Sequence, residues 1–268
     1  MESKSEILSG GNMNQVVKIG DTVHRKVKGD SMLHSYLLYL EEAGMPGVPR
    51  FRGMDEQGRE ILTFLHGKTM GPDYPAFHPC LNSDETVRDM GQFMRKLHDI
   101  SIGFLPKAIE NNWKSPNFPQ EKWETICHND TAIWNFVFAN DHLTGLFDFD
   151  SACPGTRIWD LATSLYSVIP LTAHVPVPEL LTSVSYEPSQ HAAERKRRIK
   201  IFFDAYGMDC PPDLMDWVIL RIQKDFCDDI SKGAAAGDEN CIRMVNEGHL
   251  AYYQSVVSFL KIHGQDWM

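Results

Sequence analysis

From Gln15 to Ile19 and again from Thr22 to Lys28 apolar positions alternate with polar ones, the two-residue period of strands with one buried face. Three strands are predicted from Glu6 to Lys28. A first turn at Gly10-Gly11-Asn12 and a hairpin turn at Gly20-Asp21 separate them. Met32, Leu33, Tyr36, Leu37 and Leu40 then fall at helical spacing, and Gly44 ends that helix. Residues 51–54 and 60–65 form a further hairpin about Asp55-Glu-Gln-Gly58, broken by His66-Gly67-Lys68. Val87, Met90, Phe93, Met94 and Leu97 line one side of a second helix, and residues 107–120 read as a polar, proline-bearing loop. Residues 121–127 make a strand and 128–135 a loop. Residues 136–139 and 144–149 make a hairpin. Beyond Asp160 the helical period dominates, with helices predicted over 161–168, 190–206, 213–231 and 238–262. A small sheet-rich part precedes a larger helical one.

Composition narrows the class. At 268 residues, 43% hydrophobic and 23% charged, the chain has the make-up of an ordinary globular protein. The opening MESKSEILSGG lacks the apolar core of a signal peptide and no apolar run reaches membrane length, so no membrane association is expected. Six unpatterned cysteines suggest reduced thiols and a cytoplasmic location. A net charge of −10 argues against nucleic acid and suits a cationic partner.

The densest chemistry lies in Ile126-Cys-His-Asn-Asp-Thr-Ala-Ile-Trp-Asn135 and in Leu146-Phe-Asp-Phe-Asp150. A tight hairpin loop centred on Asp141 and His142 would pair Val137 with Leu146, and so oppose Asn135 to Asp148, their Cβ atoms roughly 4.5–5.5 Å apart. An amide oxygen and a carboxylate at that separation can share one cation, with Asp150 one pleat further on. Few, hard oxygen ligands suit Mg²⁺ delivered on a substrate's phosphates. Asp130 lies upstream of these ligands, placed to take a proton. Metal on phosphates and a carboxylate on an attacking hydroxyl is the division of labour in phosphoryl transfer. His128 reads as scaffold, and Asp160 as a loop brace or helix N-cap.

The order His128-x-Asp130-x-x-x-x-Asn135, Asp148-Phe149-Asp150 and Asp160-Leu161-Ala162 resembles the aminoglycoside phosphotransferase and choline kinase-like family. That resemblance implies an α+β, protein-kinase-like two-lobed fold. A nucleotide-binding lobe would span residues 1–66, a catalytic and substrate-binding lobe 67–268, with ATP in the cleft. It implies ATP and Mg²⁺ as cofactors, Asp130 as the catalytic residue, and Asn135, Asp148 and Asp150 as metal ligands. A small molecule would be the acceptor, Asp150 also being able to meet its ammonium. Gly11 and Asn12 would cover the nucleotide phosphates, and the Thr63 carbonyl and Leu65 amide would bind the adenine edge.

The third strand should carry the cation that meets the phosphates. Arg25 does so if Val23 packs on the nucleotide side, and Lys26 otherwise; Arg25 is preferred. The first helix offers no acidic residue between Asp30 and Glu41 to orient that cation, Leu33 or His34 standing in the expected neighbourhood. Asp225, Asp228 and Asp229 fall at i, i+3 and i+4 as one acidic stripe. Asp225 and Asp229 would attract an aminated acceptor if the stripe faces the substrate, and otherwise form a solvated face. Arg195-Lys-Arg-Arg198 reads as a solvated basic face. From a different class, the rival function is a nucleotide-binding protein with little or no catalysis.

Overall fold

Strands form early in the chain where the alternation placed them: β1 (Ser5–Leu8), β2 (Val16–Ile19) and β3 (Thr22–Lys26). The computed structural model describes residues 5–8, 16–27, 32–71 and 73–268. Packing divides the chain into two units, Met1–Ala76 with Phe93–Arg157, and Phe77–Gln92 with Ile158–Met268.

In the first unit, α1 (Met32–Glu42) buries the forecast stripe of Met32, Leu33, Tyr36, Leu37 and Leu40. β4 (Phe51–Met54) and β5 (Arg59–Thr63) follow, completing an antiparallel sheet of order β1-β2-β3-β5-β4. The Asp55 side chain knots the turn between them, accepting from the amides of Gln57 and Arg59 and from the Arg59 guanidinium. Because β5 inserts between β3 and β4, Arg25 lies directly opposite Glu60. Past Thr63 the chain leaves the sheet, and Lys68 exchanges two backbone hydrogen bonds with Phe138 at 2.8 Å each.

The same unit holds the second half of α2 (Asp84–Ser101) and α3 (Leu105–Glu110). The sequence pattern assigned residues 107–120 to a loop. α3 forms there because Pro106 suits the first turn of a helix and Ala108 packs into the core. β6 (Thr125–Cys127) pairs with β9 (Cys153–Gly155), and β7 (Phe136–Ala139) with β8 (His142–Leu146). The register of this last hairpin differs from the forecast. Its two-residue turn is Asn140-Asp141, both at positive φ, the conformation that matches strand twist. A bulge beyond it pairs Phe136 with Leu146, so the amide of Phe147, not residue 148, reaches the carbonyl of Asn135 at 3.0 Å.

The second unit is mainly helical: α4 (Arg157–Val168), α5 (Pro188–Tyr206), α6 (Leu214–Ile222), α7 (Asp229–Ala235), α8 (Glu239–Asn246) and α9 (His249–His263). Three features differ from the periodicity. A hairpin, β10 (His174–Val177) with β11 (Thr182–Ser185), precedes α5. A π-helical turn, Gln223–Asp228, interrupts the helix predicted over 213–231. The helix predicted over 238–262 breaks at Gly248, whose φ of +86° no continuous helix tolerates. The basic run is also only half solvated. Arg195 and Arg198 share an inward face of α5 with Ile199 and Phe202, being three and four residues apart. Arg195 donates to the carbonyl of Thr172 (2.7 Å) and lies over the rings of Tyr186 and Trp267; Arg198 donates to the carbonyls of Asn82 and Ser83. Asp160 is fully buried in the first turn of α4, inside the helix rather than at its cap.

Candidate active site

β6 delivers the chain into the loop that begins at His128, and β9 receives it again at Cys153. His128, 1% exposed, has both ring nitrogens engaged in holding the segment together. Nδ1 accepts from the Asp130 amide at 3.2 Å, which leaves Nε2–H to donate to the carbonyl of Phe147 at 3.0 Å. Its ring packs edge-on against Phe149 at 4.4 Å. His128 is therefore scaffold, as the sequence suggested. Asn129 adopts φ +65°, and its amide reaches the carbonyl of Ser151 at 2.9 Å, fastening the loop to the segment that carries Asp150. The buried Asn135 donates from Nδ2 to the carbonyl of Asp130 at 2.9 Å, which turns its oxygen away from that bond. Asp130 stands half-buried at the head of this loop.

Asp148 and Asp150 meet, though not through strand pleating. Asp148 sits at φ +66°, a strained backbone for an aspartate, and Asp150 follows in a single 3₁₀ turn, Phe149–Ser151. That sharp bend aims both carboxylates at Arg25 of β3. Its Nη1 donates to Asp148 Oδ1 at 2.7 Å and to Asp150 at 3.3 Å, Nη2 bonds the other Asp150 oxygen, and Nε donates to Glu60 Oε1 at 2.7 Å. Side-chain exposure falls from 41% at Asp148 through 18% at Asp150 to 0% at Glu60, so Asp148 forms the open rim. Three carboxylates against one guanidinium leave two formal negative charges, the charge of one divalent cation. Burial, reinforced by Asp148 and Glu60 and opposed by Arg25, pushes the Asp150 carboxyl up to about 6. Burial alone would lower the Arg25 pKa, but the three carboxylates together raise it.

The two cations of β3 have different surroundings. Arg25 faces the carboxylates while Lys26 is exposed, and His24, on the opposite side, binds Asp55 at 2.9 Å. Gly11 and Asn12 lie outside the described residues. Thr63 ends β5, with its hydroxyl on the Arg50 amide (2.9 Å); the Leu65 amide makes no hydrogen bond among the described residues. Asp225 and Asp229 do not form an uncompensated stripe. Asp225 pairs with the buried guanidinium of Arg221, Asp228 accepts from Gln223 at 2.7 Å, and Asp229 is exposed.

Two residues escaped the sequence reading. Glu60 is one; His34, which the sequence placed in the neighbourhood of the strand cation, bonds its Oε2 at 2.8 Å. The other is Lys18, which opposes Val23 and so shares the face of Arg25, its ammonium 3.7 Å from the centre of the Phe64 ring. Lys18 was legible from the Gly20-Asp21 turn, which fixes its partner. Nothing local pointed to Glu60.

Residues 107–180 match the model of the phosphotransferase enzyme family, a span that covers every motif from His128 to Ala162 and bears out the resemblance drawn from them. Over 206 residues the chain is 28% identical to the trifolitoxin immunity protein of Rhizobium leguminosarum bv. trifolii, covering 75% of this chain and 73% of that one. It also superposes on aminoglycoside 2′-phosphotransferase-IIIa in its GDP complex, with TM-score 0.57, 16% identity and coverage of 98% and 94%. Choline kinase from Cryptosporidium parvum Iowa II gives TM-score 0.58, 12% identity and coverage of 98% and 91%. At such identities the likeness is one of fold, and the fold is kinase-like, with a sheet-rich amino-terminal region and a mainly helical carboxy-terminal part.

Proposed function

We propose that this chain is a phosphotransferase that moves the γ-phosphate of ATP, with Mg²⁺, to a hydroxyl of a small molecule. The convergence of Asp148, Asp150 and Arg25 beside the Asp130–Asn135 loop carries the proposal. Its oxygen donors and its residual charge of two fit a magnesium ion, held by Asn135, Asp148 and Asp150. There Mg²⁺ would neutralise charge on the phosphate oxygens. Asp130 accepts or orients the proton of the attacking hydroxyl, and His128 keeps Asp130 in place through its backbone amide. Arg25 offers the phosphates two terminal nitrogens in the fork geometry that suits them. Residues 1–66 serve as the nucleotide lobe, with the Thr63 carbonyl and the Leu65 amide as the adenine contacts and Gly11 and Asn12 over the phosphates.

The lack of a carboxylate in α1 before Glu41 favours a nucleotide binder without turnover. Glu60 supplies a carboxylate to the same cation, which removes that support. The name of the rhizobial relative, a toxin immunity protein, brings toxins into the acceptor panel. Neutralisation of Asp225 by Arg221 leaves Asp229 as the exposed carboxylate of its stripe for an aminated acceptor. An acceptor screen tests the whole reading. ADP or GDP release would be followed over amines, sugars, aminoglycosides and toxins, with ATP or GTP, against a no-acceptor control. Acceptor-dependent release establishes the activity. Nucleotide binding with no turnover across the panel would reinstate the rival.

A further inference from the structure

α1 carries no carboxylate before Glu41, and Glu41 is taken up by Arg50 and Arg52, yet Arg25 is held. We propose that Glu60 of β5 is the positioning residue that fixes Arg25 for the nucleotide's phosphates, with His34 fixing Glu60 in turn. The inference rests on the phosphotransferase reading above and assigns the part of the site that reading leaves open.

Register is the first ground. Arg25 and Glu60 are opposed residues of hydrogen-bonded antiparallel strands, so their side chains leave the same face of the sheet. Neither strand can shift without breaking the ladder and turning every side chain over. A carboxylate borne on a helix can be withdrawn when the helix moves, whereas this one is built into the sheet. Burial is the second ground. Glu60 is 0% exposed, and a buried carboxylate is tolerated only when its oxygens are satisfied. Arg25 Nε takes Oε1 and His34 Nε2 takes Oε2, at 2.7 and 2.8 Å. The His34 ring is itself stacked on Phe51 of β4, centroids 3.9 Å apart and planes 9° from parallel.

The third ground is how the guanidinium is shared. Glu60 uses Nε alone, leaving both terminal nitrogens to face Asp148 and Asp150. Glu60 thus anchors the planar group through Nε, and a phosphate that took the place of the Asp148 and Asp150 oxygens would meet the two terminal nitrogens. A lysine, with a single nitrogen, cannot be tethered by Glu60 and also present a fork. This explains why arginine occupies the position.

Calorimetric titration of ADP and ATP, with and without Mg²⁺, tests this on the wild type, Glu60→Gln, Arg25→Met and the double variant. Melting temperatures and the kcat and KM for ATP would be recorded beside it. Glu60→Gln should weaken nucleotide binding about tenfold or more, as loss of a charge-assisted bond implies. It should act mainly on KM, and should cost nothing further in the Arg25→Met background. Arg25→Lys should not restore wild-type affinity. Wild-type affinity in Glu60→Gln, or an equal loss in both backgrounds, would overturn the proposal, since a merely structural role would persist without Arg25. If Glu60→Gln does not fold, His34→Ala decides alone, by a smaller loss that likewise disappears in Arg25→Met. Failure of the wild type to bind any nucleotide would overturn the phosphotransferase reading and this inference together; indifference to Glu60 in a wild type that binds overturns this inference only.

Discussion

Acidifying the solution from pH 7 to pH 5 should weaken Mg²⁺-dependent nucleotide binding about tenfold, through Asp150. Burial and two neighbouring carboxylates push this group up to about 6. With that value it is about 90% ionised at pH 7 and about 10% at pH 5, and only the ionised form ligates a metal. The sign for stability runs the other way. Because the folded-state pKa lies above that of the unfolded chain, the metal-free fold holds this proton more tightly, and ionising Asp150 between about pH 4 and pH 6 removes stability. Across that window the metal-free wild type should therefore lose melting temperature relative to Asp150→Asn, and Mg²⁺ with nucleotide should restore it at pH 7. Calorimetry of Mg²⁺·ADP from pH 5 to pH 8 measures the first effect, with Asp150→Asn as the control that removes the group while keeping the nucleotide's own titration. Equal pH slopes in the two proteins would refute the assignment of Asp150 to the metal.

Asp130→Asn should lower kcat by about 10²-fold with Mg²⁺·ATP affinity nearly unchanged, measured on an acceptor from the screen. Asp148→Ala should abolish productive Mg²⁺·ATP binding and Asp150→Ala weaken it less; a Mg²⁺ titration giving the opposite order would exchange their roles. Gly47→Ala should destabilise the first unit by about 3 kcal/mol, seen as a lower melting temperature. Its backbone has φ +69°, and an added Cβ would lie 2.2 Å from the carbonyl oxygen of Thr144. Asp225→Asn should lower the melting temperature by stripping a carboxylate from the buried Arg221, whereas Asp229→Asn should raise KM for a cationic acceptor and leave stability unchanged. An Asp229→Asn enzyme with unaltered KM would remove the preference for an aminated acceptor.

What the sequence determined by itself was whatever depends on near neighbours. The period of two gave the strands around Gly20-Asp21 and Asp55–Gly58, and the period of 3.6 gave the buried stripe of α1. The spacing of His128, Asp130, Asn135 and Asp148 pointed to the phosphotransferase family, because a motif of residues close along the chain is legible whatever surrounds it. Even there the turn at Asn140-Asp141 and the bulge beyond it shifted the pairing by one residue, and Asp148 reached the site by a left-handed backbone that no period encodes. The acidic stripe is altered for a like reason, since a π-helical turn changes the spacing on which a stripe depends and Arg221 neutralises one member. Only the tertiary structure decided how the strand cation is held. Glu60 lies 35 positions from Arg25 and came opposite it because β5 inserted between β3 and β4. Local sequence cannot state that order, and so it could report that α1 has no carboxylate before Glu41 but not that a residue of the sheet bonds Arg25.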